Sequence, residues 1–513
     1  MKEMGKSKAL IVNMLASILT FLVSLGISFF FTPYLTDTVG EEAYGFVSLA
    51  NNFINYITII TVALNSVAGR FITIEYHKDK KEEASKYFTS VLAANVIMAI
   101  VILIVAIPVI AGLEHIINIS PELVISVKCL FSFILANFII TIVGTVFTVA
   151  TFITNTLYLS SIANIITALL RVFVLCVLYG TLPPNVAYIG LATCICTLVG
   201  LIINLYYTKK LIPDIKVERR YISGAKVKEL FGAGIWNSIT KLAQVLSDGL
   251  DLLITNLWIS PYLMGVLSIS QQIPMYMGTL VSMVTNLFNP NATMYYAKDD
   301  KQAVVQELQT SMKLCSFFSN IIFCGVLVYG KDFYKLWVPN QDYELVYSLA
   351  VVIMVSVVVS GVTTSLNNVF LITNKLKVNS LFWMGISMLN VVLVFILLNT
   401  TSLGIYAVAG VSKVTGAIAN LTFIPLYASK CLKVKWHTFY PLIFRYMGTT
   451  LLMAVVFVVI GHVFWIPMSW LTFLVLCVMA GVAGVIINYI VLLDSYEREI
   501  LKNKIMGKLW KKR

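Results

Sequence analysis

The segment from Phe231 to Asn256 carries Asn237, Lys241, Gln244, Asp248, Asp251 and Thr255. Their spacing, i, i+4, i+7, i+11, i+14 and i+18, places all six on one face of a single α-helix. One lysine, two aspartates and three neutral hydrogen-bonding groups could do two kinds of chemistry inside an apolar segment. The lysine offers a compact positive charge to a phosphate or pyrophosphate. The aspartates could neutralise it when no ligand is present, or bind a coupling proton or sodium ion. The competing reading is internal satisfaction, with Lys241 reaching Asp248 two turns away through extended side chains or water.

Two further cations lie deep in apolar segments, Arg171 and Lys413. Each charge at such depth costs about 2.5–3.5 kcal/mol on insertion scales, so it should face protein, water or ligand and not lipid. Lys313 and Arg445 sit near segment ends and can snorkel. Lys128 lies closer to an end than Arg171 and fits either description. Side-chain amides and hydroxyls gather on neighbouring segments: Ser48, Asn52 and Asn55 on one, Ser268, Gln271 and Gln272 on another, and a milder stripe of Asn13, Ser17, Thr20, Ser24 and Ser28 on the first. Such groups grip sugar hydroxyls, or hydrogen-bond between helices. The candidate substrate cavity therefore comprises Arg171, Lys241, Lys413, Asn237, Gln244, Asn52, Asn55 and Gln271, with Asp248 and Asp251 as candidates for ion coupling.

The elements that must position these residues are membrane helices. The chain of 513 residues is 59% hydrophobic and 12% charged, with a mean hydropathy of +0.89. A soluble protein carries about a quarter charged residues. About fourteen apolar segments are long enough to span a bilayer, the first at 9–33, the seventh at 231–257, the eighth at 262–288 and the last at 468–493. The fold class is an all-α integral membrane protein. The first segment is too long for a signal-peptide core and has no small-residue cleavage site, so it reads as a membrane helix.

Lysines and arginines test this count. They crowd alternate loops, around 70–86, 208–230, 298–301, 375–377 and 430–435, together with both termini, while the other loops hold only Lys331 and Lys335. That is the positive-inside pattern, with both termini cytoplasmic. It also explains the net charge of +13 without nucleic acid. The eight cysteines form no CxxC pair and no metal-ligand spacing. The tail, residues 494–513, reads as a basic amphipathic helix on the cytoplasmic face.

The chain repeats itself. At an offset of 220 residues the identities are Gly45/Gly265, Ser48/Ser268, Tyr56/Tyr276, Thr73/Thr293, Tyr76/Tyr296, Lys78/Lys298, Asp79/Asp299 and Lys81/Lys301. Each unit would then hold six helices, giving both the same orientation about an axis along the membrane normal. The expected organisation is a six-helix lobe at 1–207, a basic cytoplasmic linker at 208–230, a second pseudo-symmetric six-helix lobe at 231–428, and two additional helices at 429–493.

The stretches "FFFTPYLTDTVGEEAYGFVSLANNF" and "DLLITNLWISPYLMGVLSIS" resemble the first hairpin and the second-lobe counterpart of bacterial polysaccharide flippases, of the multidrug/oligosaccharidyl-lipid/polysaccharide exporter superfamily. The second stretch departs in having Ser260 and Pro261 where the first has Gly40 and Glu41. The resemblance implies a two-lobed, alternating-access exporter of the bacterial cytoplasmic membrane. It would move undecaprenyl-pyrophosphate-linked oligosaccharide from the inner to the outer leaflet for cell-surface polysaccharide synthesis. It implies no cofactor beyond a coupling proton or sodium ion, a monomer, and membrane lipids, a polysaccharide polymerase and glycosyltransferases as partners.

Three other readings share these features. A cation-coupled multidrug antiporter would use Asp248 and Asp251, but the basic excess disfavours cationic drugs. A peptidoglycan-precursor flippase would have the same helix count. A membrane polysaccharide polymerase would need a long loop carrying its acid, base or metal ligands, whereas the outer loops are short and His77, His115, His437 and His462 are scattered. A transporter, not an enzyme, is expected.

Overall fold

The computed structural model describes residues 6–463, 469–494 and 497–498, and these are built of helices and turns. Inside a bilayer the backbone must satisfy its own hydrogen bonds, and a helix does so locally. The chain begins with α1 (Lys6–Val39), α2 (Glu41–His77), α3 (Lys81–Ala111) and α4 (Val124–Gly144), then a 3₁₀ stretch Thr145–Thr148 and α5 (Val149–Ile153). It continues with α6 (Leu157–Thr181), α7 (Ala187–Leu211), α8 (Gly224–Gln244), a π-helical turn Val245–Gly249 and α9 (Asp251–Trp258). Next come α10 (Pro261–Ser270), α11 (Gln272–Ala297), α12 (Lys301–Trp337), α13 (Tyr343–Thr363) and α14 (Asn367–Ile372). The chain closes with α15 (Leu376–Thr400), α16 (Ile405–Leu421), α17 (Phe423–Leu432), α18 (Tyr440–Val463) and α19 (Trp470–Val491).

Among the described residues, twelve helical segments are long and apolar enough to cross a membrane. The count of fourteen is not established. The two segments that fall short are those expected at 231–257 and 262–288. Both are helical, but α8 is polar and ends in the π-turn, and the next segment is split into α10 and α11 at Gln271. The amphipathic tail expected at 494–513 lies almost wholly outside the described residues.

By packing, the chain forms two compact units: Met1–Ser268 with Ser380–Val391, and Ile269–Asn379 with Val392–Arg513. This partition follows contacts and cuts across the six-helix division, which stays an expectation of the repeat. In the first unit, α2 packs along α8. A Cβ at Gly234 would overlap the Ala63 carbonyl, so only glycine admits that approach. Residues 212–223 are strapped to α3: Ser85 Oγ accepts from Lys216 N at 3.1 Å, and Ser90 Oγ from Ser223 N at 2.9 Å. In the second unit, α12 carries α18 and α19. Asn320 and Asn488 exchange amide bonds of 2.8 and 3.1 Å, and the Tyr329 hydroxyl donates to the Phe457 carbonyl at 2.6 Å.

The backbone repeats along with the sequence. The helix pair α2–α3 turns at Asp79 with φ 61°, and α11–α12 turns at Asp299 with φ 56°. The 3₁₀ stretch and α5 that precede Asn155 (φ 53°) are matched by Thr364–Leu366 and α14 before Asn374 (φ 54°). Even a contact recurs: the Asn65–Asn95 amide bond of 3.1 Å corresponds to the Thr285–Cys315 contact of 3.2 Å.

Candidate functional site

Lys241 sits half-buried on α8. Its Nζ donates to Asn55 Oδ1 of α2 at 3.3 Å and to Gln244 Oε1 one turn on at 3.4 Å. One turn back, Asn237 Nδ2 donates to Ser66 Oγ at 2.9 Å, and Ser238 Oγ donates to the Ile59 carbonyl at 2.8 Å. The structure thus brings together Lys241, Gln244, Asn55 and Asn237, with Asn52 one turn before Asn55 on α2. No carboxylate of the described residues lies within ion-pair distance of Lys241. The expected alternative, a Lys241–Asp248 pair, is not formed. Two neutral amide oxygens stabilise an ammonium less than a carboxylate does, so this cation keeps affinity for an anion.

The polar face does not run on unbroken. The π-turn at Val245–Gly249 inserts extra chain and shifts later residues around the helix. Asp248 is exposed, whereas Asp251 is 4% exposed and Thr255 is fully buried, its hydroxyl donating to the Asp251 carbonyl at 2.8 Å. The widened turn offers the Gly249 carbonyl to Tyr56, whose hydroxyl donates at 2.6 Å. Tyr56 and Ser66 had no signal in the α8 pattern because both lie on α2, far away in sequence.

Arg171 stands elsewhere in the same unit. It lines a cavity of about 400 Å³ between α4, α6 and α7, whose walls include none of Lys241, Asn237 or Asn55. Lys128 is anchored, its Nζ 2.6 Å from both Glu114 Oε2 and the Ala111 carbonyl. Asn13 and Thr20 hold α1 to the α6 region: Asn13 Oδ1 accepts from Tyr158 N at 2.8 Å and Thr20 donates to the Ser161 carbonyl at 3.3 Å. These two residues of the stripe serve packing. In the second unit, Lys413 is half-buried on α16 and Gln271 precedes α11. Lys313 does not only snorkel. It pairs with Asp494 at 2.7 Å and Glu497 at 2.9 Å, and Arg445 joins Asp494 at 2.8 Å.

Comparison with known proteins places this arrangement. The chain is 28% identical over 428 residues to the uncharacterized membrane protein EpsK of Bacillus subtilis (strain 168), covering 83% of this chain and 85% of that protein. In fold it is similar to the lipid II flippase MurJ in an inward closed conformation, with a TM-score of 0.64 at 15% identity, over 93% of this chain and 98% of that one. It is also similar to an inward-facing multidrug resistance MATE family transporter of the MOP superfamily, with a TM-score of 0.65 at 14% identity, over 82% of this chain and 99% of that one. The family model described as polysaccharide biosynthesis protein matches residues 10–293. That match takes in most of α1, every element from α2 to α10 and most of α11, more than half of the sequence, and the chain belongs to the polysaccharide biosynthesis protein family.

Proposed function

We propose that this protein flips undecaprenyl-pyrophosphate-linked oligosaccharide from the inner to the outer leaflet of the bacterial cytoplasmic membrane by alternating access, for cell-surface polysaccharide synthesis. The observation that carries the reading is Lys241: a cation at membrane depth, steadied by Asn55 and Gln244 and paired with no carboxylate among the described residues. Family membership and a fold shared with a lipid II flippase support the choice of a lipid-linked glycan.

In this reading Arg171, Lys241 and Lys413 attract the phosphates, and Asn237, Gln244, Asn52, Asn55 and Gln271 contact the polar headgroup. Asp248 and Asp251 bind the coupling proton or sodium ion. The segments 231–257 and 262–288 cross the bilayer too, and both termini are cytoplasmic. The protein works as a monomer alongside the glycosyltransferases and polymerase that make and use its cargo. The bonds of the cargo stay intact, so the role is transport and not covalent chemistry.

The test is transfer of a fluorescent undecaprenyl-pyrophosphate oligosaccharide between leaflets of proteoliposomes. The native chain should transfer it, and Arg171→Ala and Lys241→Ala should slow transfer tenfold or more while still inserting as folded protein. Transfer of lipid II but not of the oligosaccharide would replace this reading with the peptidoglycan-precursor flippase. Gradient-driven movement of a lipophilic cation alone would replace it with the antiporter.

A further inference from the structure

Lys313 of α12 and Arg445 of α18 converge on one carboxylate that belongs to neither helix. Asp494 Oδ2 accepts from Lys313 Nζ at 2.7 Å, and Asp494 Oδ1 accepts from an Arg445 guanidinium nitrogen at 2.8 Å. Glu497 completes the group, with both of its oxygens 2.9 Å from Lys313 Nζ. Among the described residues, these are the only carboxylates within ion-pair distance of either cation.

The cations belong to the helix bundle and the anions to its edge. Both cations stand on long helices, and the Lys313 side chain is only 13% exposed. Asp494 and Glu497 lie past the end of α19 at Val491, in a short turn. That turn is closed by its own bonds: Asp494 N donates to Glu497 Oε2 at 2.9 Å, and Arg498 N to the Asp494 carbonyl at 3.0 Å. Exposed ion pairs hold such a segment weakly. If it swings away, the Lys313 ammonium keeps no counter-charge, which is costly for a largely buried group unless another anion takes the place.

The surroundings say which anion fits. An arginine fork beside a lysine point charge suits a phosphate as well as a carboxylate. α19 is apolar enough to cross a membrane and ends just before Asp494, which puts the group at the level of lipid headgroups. Basic pockets between helices at that level bind anionic headgroups. Apolar side chains beside the two cations are exposed: Leu314 and Phe318 on α12, and Phe444, Met447 and Leu451 on α18. They offer a path for acyl chains, which a free ion would not use.

We propose that Lys313 and Arg445 form a site for the phosphate of an anionic bilayer phospholipid, and that Asp494 and Glu497 are its tethered competitor. The site shares no residue with the cavity proposed for the cargo, and its ligand is a lipid of the surrounding bilayer, so it goes beyond the transport reading. Lipid and tail exclude one another. Anionic lipid releases the tail, and a neutral bilayer leaves it closed over the two cations.

Native mass spectrometry of the full chain in detergent, with added dioleoyl phosphatidylglycerol or dioleoyl phosphatidylcholine, tests the site. Asp494→Asn and Glu497→Gln together remove the competitor. They should tighten binding of one phosphatidylglycerol at least tenfold and leave phosphatidylcholine unchanged. Adding Lys313→Gln and Arg445→Gln should abolish that gain. No gain, a gain shared by phosphatidylcholine, or a gain that survives loss of both cations overturns the proposal. Displacement of the bound lipid by an equimolar amount of inorganic phosphate would mean that the site reads a free ion, and overturns the lipid assignment. The native chain gives a readout that needs no substitution. Hydrogen exchange at the Asp494 and Arg498 amides should run at least threefold faster in phosphatidylglycerol nanodiscs than in phosphatidylcholine nanodiscs, and equal rates overturn the proposed competition.

Discussion

Gly45 and Gly265, the paired glycines of the 220-residue repeat, lie against each other: a Cβ built on Gly45 would fall 2.8 Å from the Gly265 Cα and 2.9 Å from its nitrogen. A Cβ on Gly265 would in turn overlap the carbonyl oxygen of Glu41. The two copies of one phrase thus form a single backbone-to-backbone contact within the first unit. Such a contact cannot yield as a side chain could, so forcing atoms into it costs about 1–3 kcal/mol. Gly45→Ala and Gly265→Ala should each lower the melting temperature of the detergent-solubilised protein. Gly278→Ala is the control. Its Cβ meets nothing within 4 Å, so the change should be neutral or mildly stabilising through helix propensity.

Lys241 should separate stability from transport. A half-buried ammonium held by two amide oxygens has lost water without gaining a carboxylate. Lys241→Met keeps the length and removes the charge, so it should hold or raise the melting temperature. Leaflet transfer of the lipid-linked oligosaccharide should nevertheless fall tenfold or more. A variant that melts lower and transfers normally would make the lysine structural.

What the sequence made legible is what obeys a fixed local period. Asn237, Lys241 and Gln244 share a face because α8 is a regular helix through Gln244, and the turns at Asp79 and Asp299 recur because local chemistry dictates them. The prediction failed where the period changed. Periodicity assumes 3.6 residues per turn throughout, so it carried the polar face on to Asp251 and Thr255. The π-turn breaks that assumption, and nothing in "VLSDG" announces it. Partners far apart in sequence were equally invisible. Tyr56 meets Gly249 across 193 residues, and Lys313 meets Asp494 across 181. Depth along a helix says nothing about which neighbours surround a residue: it groups Arg171 with Lys241, and the cavity that Arg171 lines between α4, α6 and α7 is legible only in the structure.

The loop between α3 and α4 is clasped to the end of α9. Asn118 N donates to Asn256 Oδ1, Asn118 Nδ2 to the Asn256 carbonyl, and Asn256 Nδ2 to the Asn118 carbonyl, each at 2.9 Å. Asn256 is fully buried but Asn118 is exposed, so water can reach the groups that its loss releases, and each bond contributes about 0.5–1.5 kcal/mol. Asn256→Ala should speed hydrogen exchange at the Asn118 amide at least tenfold. Asn256→Asp keeps the acceptor for that amide and loses the donor, and should give a smaller increase.

The ion cluster beyond α19 should give stability a specific pH dependence. The hydrogen bond from Lys313, and then that from Arg445, hold the Asp494 carboxyl below its ordinary value of 3.8. A lowered folded-state pKa means the native state prefers the charged form. The stabilisation is then fully present above the ordinary aspartate range, and is lost as the pH falls through the lowered value. Asp494 is 55% exposed, so solvent screening limits the effect to about 1 kcal/mol or less. Asp494→Asn should lower the melting temperature by a constant amount from pH 7 down to about pH 5. Below pH 4 the gap should begin to narrow, and it closes as the pH falls through the lowered native value, where protonation leaves the carboxyl as neutral as the amide. Melting curves of both proteins from pH 7 to 3 measure this directly, and a gap that does not narrow below pH 4 would mean that Asp494 contributes shape and not charge.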